Sequence, residues 1–544
     1  MDTITQELIK VSTRRLHSFN KVFKLSLITI VATSSQLKAN DLDVEGKVTT
    51  TGYVYQTKTG SEEPETNKVA TITPTVTATY SSRRMNMSAY AEHIKVEQIS
   101  GNVDADKTYT EFAVDGLTTL IDNALTLSIS GKENYRVINQ EQDYVSDKIL
   151  AAGDLTKFNN VAAALNFVTP NPEYVGLSIQ TSYSETTTEE SIEGDFGVDG
   201  SNIGLSAAIS EGRKVDSLSF NLSASYNDTT RASFQNFSST EVSAEVGLPF
   251  NQNVSFLAQG YSSKYDVDTT GFATRTNLDS TSYGAGVMWQ PMNERSISVT
   301  YNQLDEGENT TNYIGLDIAW ALSSRTALNF NYGKRFYGDA YTMDFSHNLK
   351  FYRSSVNYSE QVTSFSRLSF GEGGTSLFVC PIGSVDLGEC FQPDSLSYEL
   401  QAGEEFRAST DIETDISEEI ILRKAGSFNI GYDKRRLKTA LTLSYGETEY
   451  LESGQLQSTR SARVVIAYEL GKKTDVNFST RYARTKPRGS NDTDNTLTSS
   501  LDVSRIVAQH LKLNLGAQLL DRSSDSADRD IADKRITLGL TYTF

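Results

Sequence analysis

The chain has 544 residues, 38% of them hydrophobic and 22% charged, with a formal net charge of −19. Length alone would accommodate three or four soluble domains, yet proline (9), cysteine (2) and histidine (4) are scarce, while tyrosine (27) and phenylalanine (24) are plentiful. The acidic balance speaks against a nucleic-acid partner, which needs stripes of Lys and Arg, and two cysteines are too few for a disulfide scaffold or a thiolate cluster.

The first 39 residues differ from the rest. Arg14, Arg15, Lys21 and Lys24 precede a short apolar core, Leu25–Ala32, and Leu37-Lys38-Ala39 offers a small residue at a cleavage point. This is the pattern of a secretory signal peptide for Sec-type export. Its core is too short to span a bilayer. The leader carries six basic and two acidic residues, so residues 40–544 carry −23.

Beyond residue 40 the period is two. Leu218, Phe220, Leu222, Ala224 and Tyr226 alternate with Ser219, Asn221, Ser223 and Ser225. Ile314, Leu316, Ile318, Trp320 and Leu322 alternate with Gly315, Asp317, Ala319 and Ala321, and Leu511–Leu519 repeats the pattern. Successive side chains of a strand point to opposite faces, so each segment has one apolar and one polar face. Segments of about 10–13 residues recur along the whole chain, with a polar face of Ser, Thr, Gly and Asn. That suits lipid outside and water inside rather than a soluble sandwich. Aromatics near the segment ends (Tyr53, Tyr55, Tyr80, Tyr90, Tyr183, Tyr226, Trp289, Trp320, Phe336, Tyr337) predict interfacial girdles.

Connections alternate in length. Short turns at 81–84, 121–123, 249–253, 290–294, 323–325, 471–473 and 508–510 are interleaved with long polar stretches such as 57–67, 184–200, 227–238, 263–280, 484–495 and 521–532. Outer-membrane barrels have short periplasmic turns and long outer loops. About eleven short turns predict an all-β, transmembrane, antiparallel up-and-down barrel of about 24 strands (range 20–26). It runs from a first strand near Leu42–Tyr55 to a last near Ile536–Phe544, with both termini periplasmic and no separate plug domain. The chain ends Ile536, Leu538, Leu540, Tyr542, Phe544, alternating with Thr and Gly. Tyr542 and the terminal Phe544 look like the signal strand read by the barrel-assembly machinery. A closing strand must present an apolar outer face and an unpaired edge.

One stretch is more particular. Trp289-Gln290-Pro291 at a turn is followed by Tyr332-Gly333-Lys334-Arg335-Phe336-Tyr337-Gly338, Phe345-Ser346-His347 and Tyr358-Ser359-Glu360. After a long loop come Ile416–Gly426 and Tyr432-Asp433-Lys434-Arg435-Arg436. Over residues 280–450 this order is similar to the outer-membrane family associated with PEP-CTERM/exosortase and exopolysaccharide gene clusters. Met292-Asn293-Glu294 and Phe351-Tyr352 depart from its pattern. The resemblance implies a barrel tied to polymer export, with polysaccharide export components as partners, and brings no catalytic residues.

Cys380 and Cys390, close together in a long outer loop of a secreted chain, predict one disulfide, contributing roughly 2–3 kcal/mol by loop entropy. That loop, about 362–417, is acidic: twelve carboxylates against Arg407 from Glu372 to Glu419. It reads as a solvated surface, or as a lid facing cations or lipopolysaccharide. Asp411–Asp415 lacks the glycine of a calcium loop, and no metal or cofactor site is expected. With Tyr332 and Phe336 facing lipid beside Leu328 and Phe330, Lys334 faces out and Arg335 faces the lumen. Arg335 with Asp317 and Asp344 then makes a candidate lumenal charge ladder, either tuning selectivity or stapling the wall. His93, His347 and His510 have no nucleophile and base beside them in sequence, and no phosphate-binding glycine loop follows a strand, so an enzyme is not expected. The reading is a Gram-negative outer-membrane channel or export pore, in contact with membrane lipid and lipopolysaccharide. The alternative is a structural or interaction barrel with a loop-filled lumen.

Overall fold

A computed structural model describes residues 42–61, 63–101, 107–137, 155–189, 199–215, 217–232, 236–266, 278–292, 294–305, 310–364, 378–381, 404–407, 419–526 and 529–544. The expected leader lies outside these residues. The wall strands in chain order are β1 (Leu42–Thr59), β2 (Glu65–Ser81), β3 (Met85–Ser100), β4 (Lys107–Ile121), β5 (Leu125–Val137), β6 (Leu155–Val168), β7 (Val175–Thr188), β8 (Gly200–Glu211) and β9 (Ser219–Arg231). They continue as β10 (Phe237–Pro249), β11 (Val254–Asp266), β12 (Ser280–Met292), β13 (Arg295–Asp305), β14 (Thr310–Ser323), β15 (Thr326–Arg335), β16 (Gly338–Asn348) and β17 (Tyr352–Ser364). A separate two-stranded sheet, β18 (Phe378–Pro381) with β19 (Glu404–Arg407), falls between β17 and the next wall strand in the chain. The wall resumes as β20 (Ile420–Lys434), β21 (Leu437–Tyr450), β22 (Leu456–Gly471), β23 (Thr474–Lys486), β24 (Asp494–Ala508), β25 (Leu511–Ser524) and β26 (Ile531–Thr543).

These form one 24-stranded antiparallel sheet, the number anticipated from the turns. Each strand pairs with its chain neighbours, β17 pairs with β20, and β1 pairs with β26 from Lys47↔Thr543 to Thr59↔Ile531. The sheet therefore has no free edge, the condition under which strands can cross lipid. All eleven connections at one end, the turn end, have two to seven residues. At the other, the loop end, the connection between β17 and β20 covers residues 365–419. Three tight turns at the turn end place Asn123, Glu294 and Arg435 at φ near +60°, the left-handed geometry such turns demand.

The phase of alternation is kept round the ring. One hydrogen-bonded row of outward residues runs Trp320, Leu328, Phe345, Val356, Phe428, Leu443, Ala462, Tyr482 across eight strands. With strands about 4.8 Å apart and tilted about 40°, it climbs roughly 22 Å, close to the height of an outer-membrane apolar band. Its ends belong to two aromatic girdles. At the turn end Trp289 and Trp320 lie 5.8 Å apart and Tyr352 and Tyr432 4.8 Å. Towards the loop end Tyr183, Tyr226, Tyr283, Tyr301 and Tyr482 are exposed on the outer face. The inner face is small and hydroxylated: Ser223–Ser243, Ser263–Ser280, Ser444–Ser461 and Ser479–Ser500 are hydrogen-bonded pairs between adjacent strands.

Two expectations are corrected. Several strands run longer than the anticipated segments: β1 continues past Tyr55 to Thr59 and β26 begins at Ile531, because hairpins extend beyond the apolar band at the loop end. Not all the aromatics form girdles, since Tyr53, Tyr55 and Tyr90 lie on the inward phase. Tyr55 is buried against Val69, Val96 and Tyr109.

Candidate functional site

The lumen is built from residues that alternate with the lipid-facing set. On β14–β17, Asp317, Asn331, Asn329, Asp344 and Asn357 share the inner face, with Asn329 directly opposite Asp344 and Asp344 opposite Asn357. They border a hollow of about 450 Å³. Asn331 donates to Asp317 at 2.9 Å, and Asp317, Asn329 and Asn331 are exposed. This level is wet and lined by amides and carboxylates, groups that exchange hydrogen bonds with hydroxyls.

Towards the loop end the lining becomes aromatic. Tyr261 and Tyr265 on β11 point inward. The Arg335 guanidinium lies 3.6 Å from the Tyr261 ring centroid, a cation–π geometry, and the Tyr265 hydroxyl donates to Glu241 at 2.6 Å. Phe336 packs edge-on against Tyr265 at 5.5 Å, so it turns inward and not towards lipid as the alternation predicted. The tight connection to β16 breaks the period there: Gly338 takes φ +108°. The predicted ladder does not form. Arg335, Asp317 and Asp344 are all on the inner phase, but Asn331 opposes Asp317 and Asn329 opposes Asp344. Arg335 is therefore four and six residues beyond those levels, about 13 and 20 Å along the strand. Its guanidinium bonds its neighbour's carbonyl, Lys334 O, at 3.0 Å. Lys334 faces outward and lies 3.8 Å from Asp339.

At the loop end itself, opposite parts of the ring meet. Arg231 ends β9 and Glu452 follows β21; nine strands lie between β9 and β21 one way round and thirteen the other. Their side chains are 2.7 Å apart and buried, with 2% and 7% exposure. A circular ring of 24 strands has a backbone diameter of roughly 50 Å, a span that no pair of side chains bridges. The loop-end rims have therefore converged. Phe237, Leu278, Val362, Ile420, Leu422 and Leu451 form one buried apolar cluster under this contact, with Tyr265, Phe336 and Tyr337 against it. Glu452 also accepts from the Ile420 amide at 3.1 Å. Alongside, Arg488 is ion-paired with Glu419, stacks on Tyr450 at 3.9 Å and donates to Gln455 at 2.6 Å. Burial pushes the Glu452 carboxyl above its usual range, while the Arg231 charge pulls the other way.

The sequence reading missed this mouth. Arg231 and Glu452 are 221 residues apart and sit among ordinary loop residues. The one local signal was apolar residues (Phe237, Leu278, Ile420) lying in or beside stretches read as polar loop. Cys380 is buried in the β18–β19 sheet and is disulfide-bonded; Cys390 and most of the acidic loop lie outside the described residues. Phe544 closes the seam, bonding Gly46 through N–O distances of 2.8 and 3.2 Å, and Tyr542 packs beside it at 6.4 Å. His347 and His93 each bond one threonine, at 2.7 and 2.8 Å. Among the described residues no three His, Cys, Asp or Glu converge as metal ligands.

No protein-family model matches the chain, and no curated protein sequence matches it. Among solved structures it is similar to the FrpB iron transporter from Neisseria meningitidis in its apoprotein form (11% identity, 93% of this chain and 82% of that one, TM-score 0.44). It is also similar to the siderophore receptor PirA from Acinetobacter baumannii (10%, 92% and 80%, TM-score 0.41) and to PirA from Pseudomonas aeruginosa (9%, 91% and 80%, TM-score 0.37). The likeness is distant.

Proposed function

We propose that this chain is a channel of a Gram-negative outer membrane, shut at rest at its outer mouth, that opens to pass a hydroxyl-rich polymer. The single supporting observation is the buried Arg231–Glu452 contact between distant arcs of the ring. Below it lies a wet lumen lined by hydroxyls, amides and charged groups such as Glu245, Arg463 and Arg481, which exchange hydrogen bonds with the hydroxyls of a saccharide chain. In this reading the turn end is periplasmic, and the family resemblance supplies the link to exopolysaccharide export. Planar-bilayer recording tests it. The purified protein should conduct poorly, and Arg231→Ala with Glu452→Ala should produce stepwise conductance that added exopolysaccharide blocks.

The apolar cluster beneath the contact also favours a second reading, a structural or interaction barrel whose mouth never opens. In that case the same double variant, folded and inserted, would stay silent.

A further inference from the structure

On the outer face of β22 and β23, Arg460 and Arg484 stand directly opposite each other. Both belong to the lipid-facing phase, since Ala462↔Tyr482 and Val464↔Thr480 continue their row spacing towards the turn end. Lys486 follows on the same face, two residues nearer the loop end. All three are exposed. Among the described residues the Arg484 and Lys486 side chains have no ion pair or hydrogen bond, and the Arg460 side chain has a cation–π contact with Tyr445 at 5.7 Å. The adjacent carboxylate is already engaged: Glu447 takes Lys424 at 3.4 Å and the Tyr445 hydroxyl at 2.8 Å. Like charges directly opposite on neighbouring strands repel, and among the described residues no carboxylate is paired with them.

Their level identifies what does. Tyr482, two residues towards the turn end from Arg484, belongs to the upper girdle, its hydroxyl donating to Asn495 at 2.9 Å. With strands tilted about 40°, Arg484 lies roughly 5 Å above that girdle. Tyrosine girdles sit at the headgroup level. The trio therefore meets the phosphate layer of the outer leaflet, and planar guanidiniums take phosphate bidentately. We infer that Arg460, Arg484 and Lys486 form a binding site for the phosphate of a lipid A headgroup held against the wall. The site rests on the proposed orientation, with the loop end outward, and not on whether the mouth opens.

The test uses the full barrel in dodecyl-maltoside micelles, titrated with bisphosphorylated lipid A, with dephosphorylated lipid A, or with inorganic phosphate. Thermal unfolding is followed by heat-modifiable gel mobility. Bisphosphorylated lipid A should raise the unfolding temperature, and the other two should not. Arg460→Gln with Arg484→Gln and Lys486→Gln should weaken the lipid's effect at least tenfold. Arg460→Lys with Arg484→Lys, which keeps the charges but loses the bidentate fork, should keep only part of it, and Lys472→Gln with Lys473→Gln at the turn end should keep all of it. Only variants that run as folded barrels without lipid are compared, and Arg484→Gln alone serves if the triple variant does not fold. An equal shift in the glutamine variants overturns the site. An equal shift with inorganic phosphate overturns the lipid as its occupant.

Discussion

The ring of Phe544 lies over Gly46, and a Cβ built on that glycine would stand 2.3 Å from the ring. The two residues bond each other's backbone at the start of the β1–β26 seam. Gly46 is thus the socket for the last side chain of the barrel. Gly46→Val has to push that exposed terminal ring aside, so it should cost about 1 kcal/mol, the low end of overpacking, and lower the heat-modifiable, folded fraction. Combined with Phe544→Ala, which empties the socket, it should recover much of that loss. A double variant no better folded than Gly46→Val would show that the contact is incidental.

Lipid and lumen faces can be separated by one charge placed on each. Val299 is 49% exposed on the outer phase of β13, near the middle of the apolar band. Asn331 is exposed on the inner phase of β15. Arginine at a lipid-facing midplane costs about 2–4 kcal/mol, whereas water in the lumen solvates it. Val299→Arg should lower barrel stability in urea by that amount, and Asn331→Arg by less than about 1 kcal/mol. Equal losses would mean the phase is misassigned.

The chain has two tryptophans, Trp289 and Trp320, and both sit in the turn-end girdle 5.8 Å apart. Their fluorescence therefore reports on the membrane boundary alone. Reconstituted into vesicles containing brominated phospholipid, the emission should be strongly quenched. Iodide in the aqueous phase should quench it little. Strong iodide quenching with no bromine effect would place this end of the wall in water.

The parts of the molecule legible in the sequence are those set by local periodicity. Ile314 to Leu322 read as a two-faced strand because the sheet holds each residue to one side for its whole length. The turns at 81–84 or 471–473 read as turns because nothing longer fits between such runs. This was enough for strand number and topology. The mouth was hidden for a different reason: Arg231 meets Glu452 only because the ring closes and its rims converge, a long-range property that no window of residues carries. The misreading of Phe336 has the same root, since alternation stops where β15 ends and tertiary packing against Tyr265 decides the direction. The inner-face set Arg335, Asp317 and Asp344 was found by phase, but its vertical spacing needed the register.

The mouth also makes a pH prediction. Burial raises the pKa of Glu452 in the closed mouth, and Arg231 offsets only part of that rise. In an open mouth the carboxyl would return towards its ordinary value of 4.5. The closed form thus holds the proton more tightly. The contribution of Glu452 to closure is complete below about pH 4.5 and declines as pH rises through the raised pKa. Each unit of difference is worth about 1.4 kcal/mol, a tenfold change in the ratio of open to closed. Open probability in planar bilayers should therefore rise from pH 4 towards neutrality. Glu452→Gln, which cannot ionise, should flatten that rise and stay mostly shut. Arg231→Met removes the charge that favours the carboxylate, so the carboxyl's pKa should climb further and the transition should move to higher pH. If wild type and Glu452→Gln gave the same pH profile, this carboxyl would not be the group that holds the mouth.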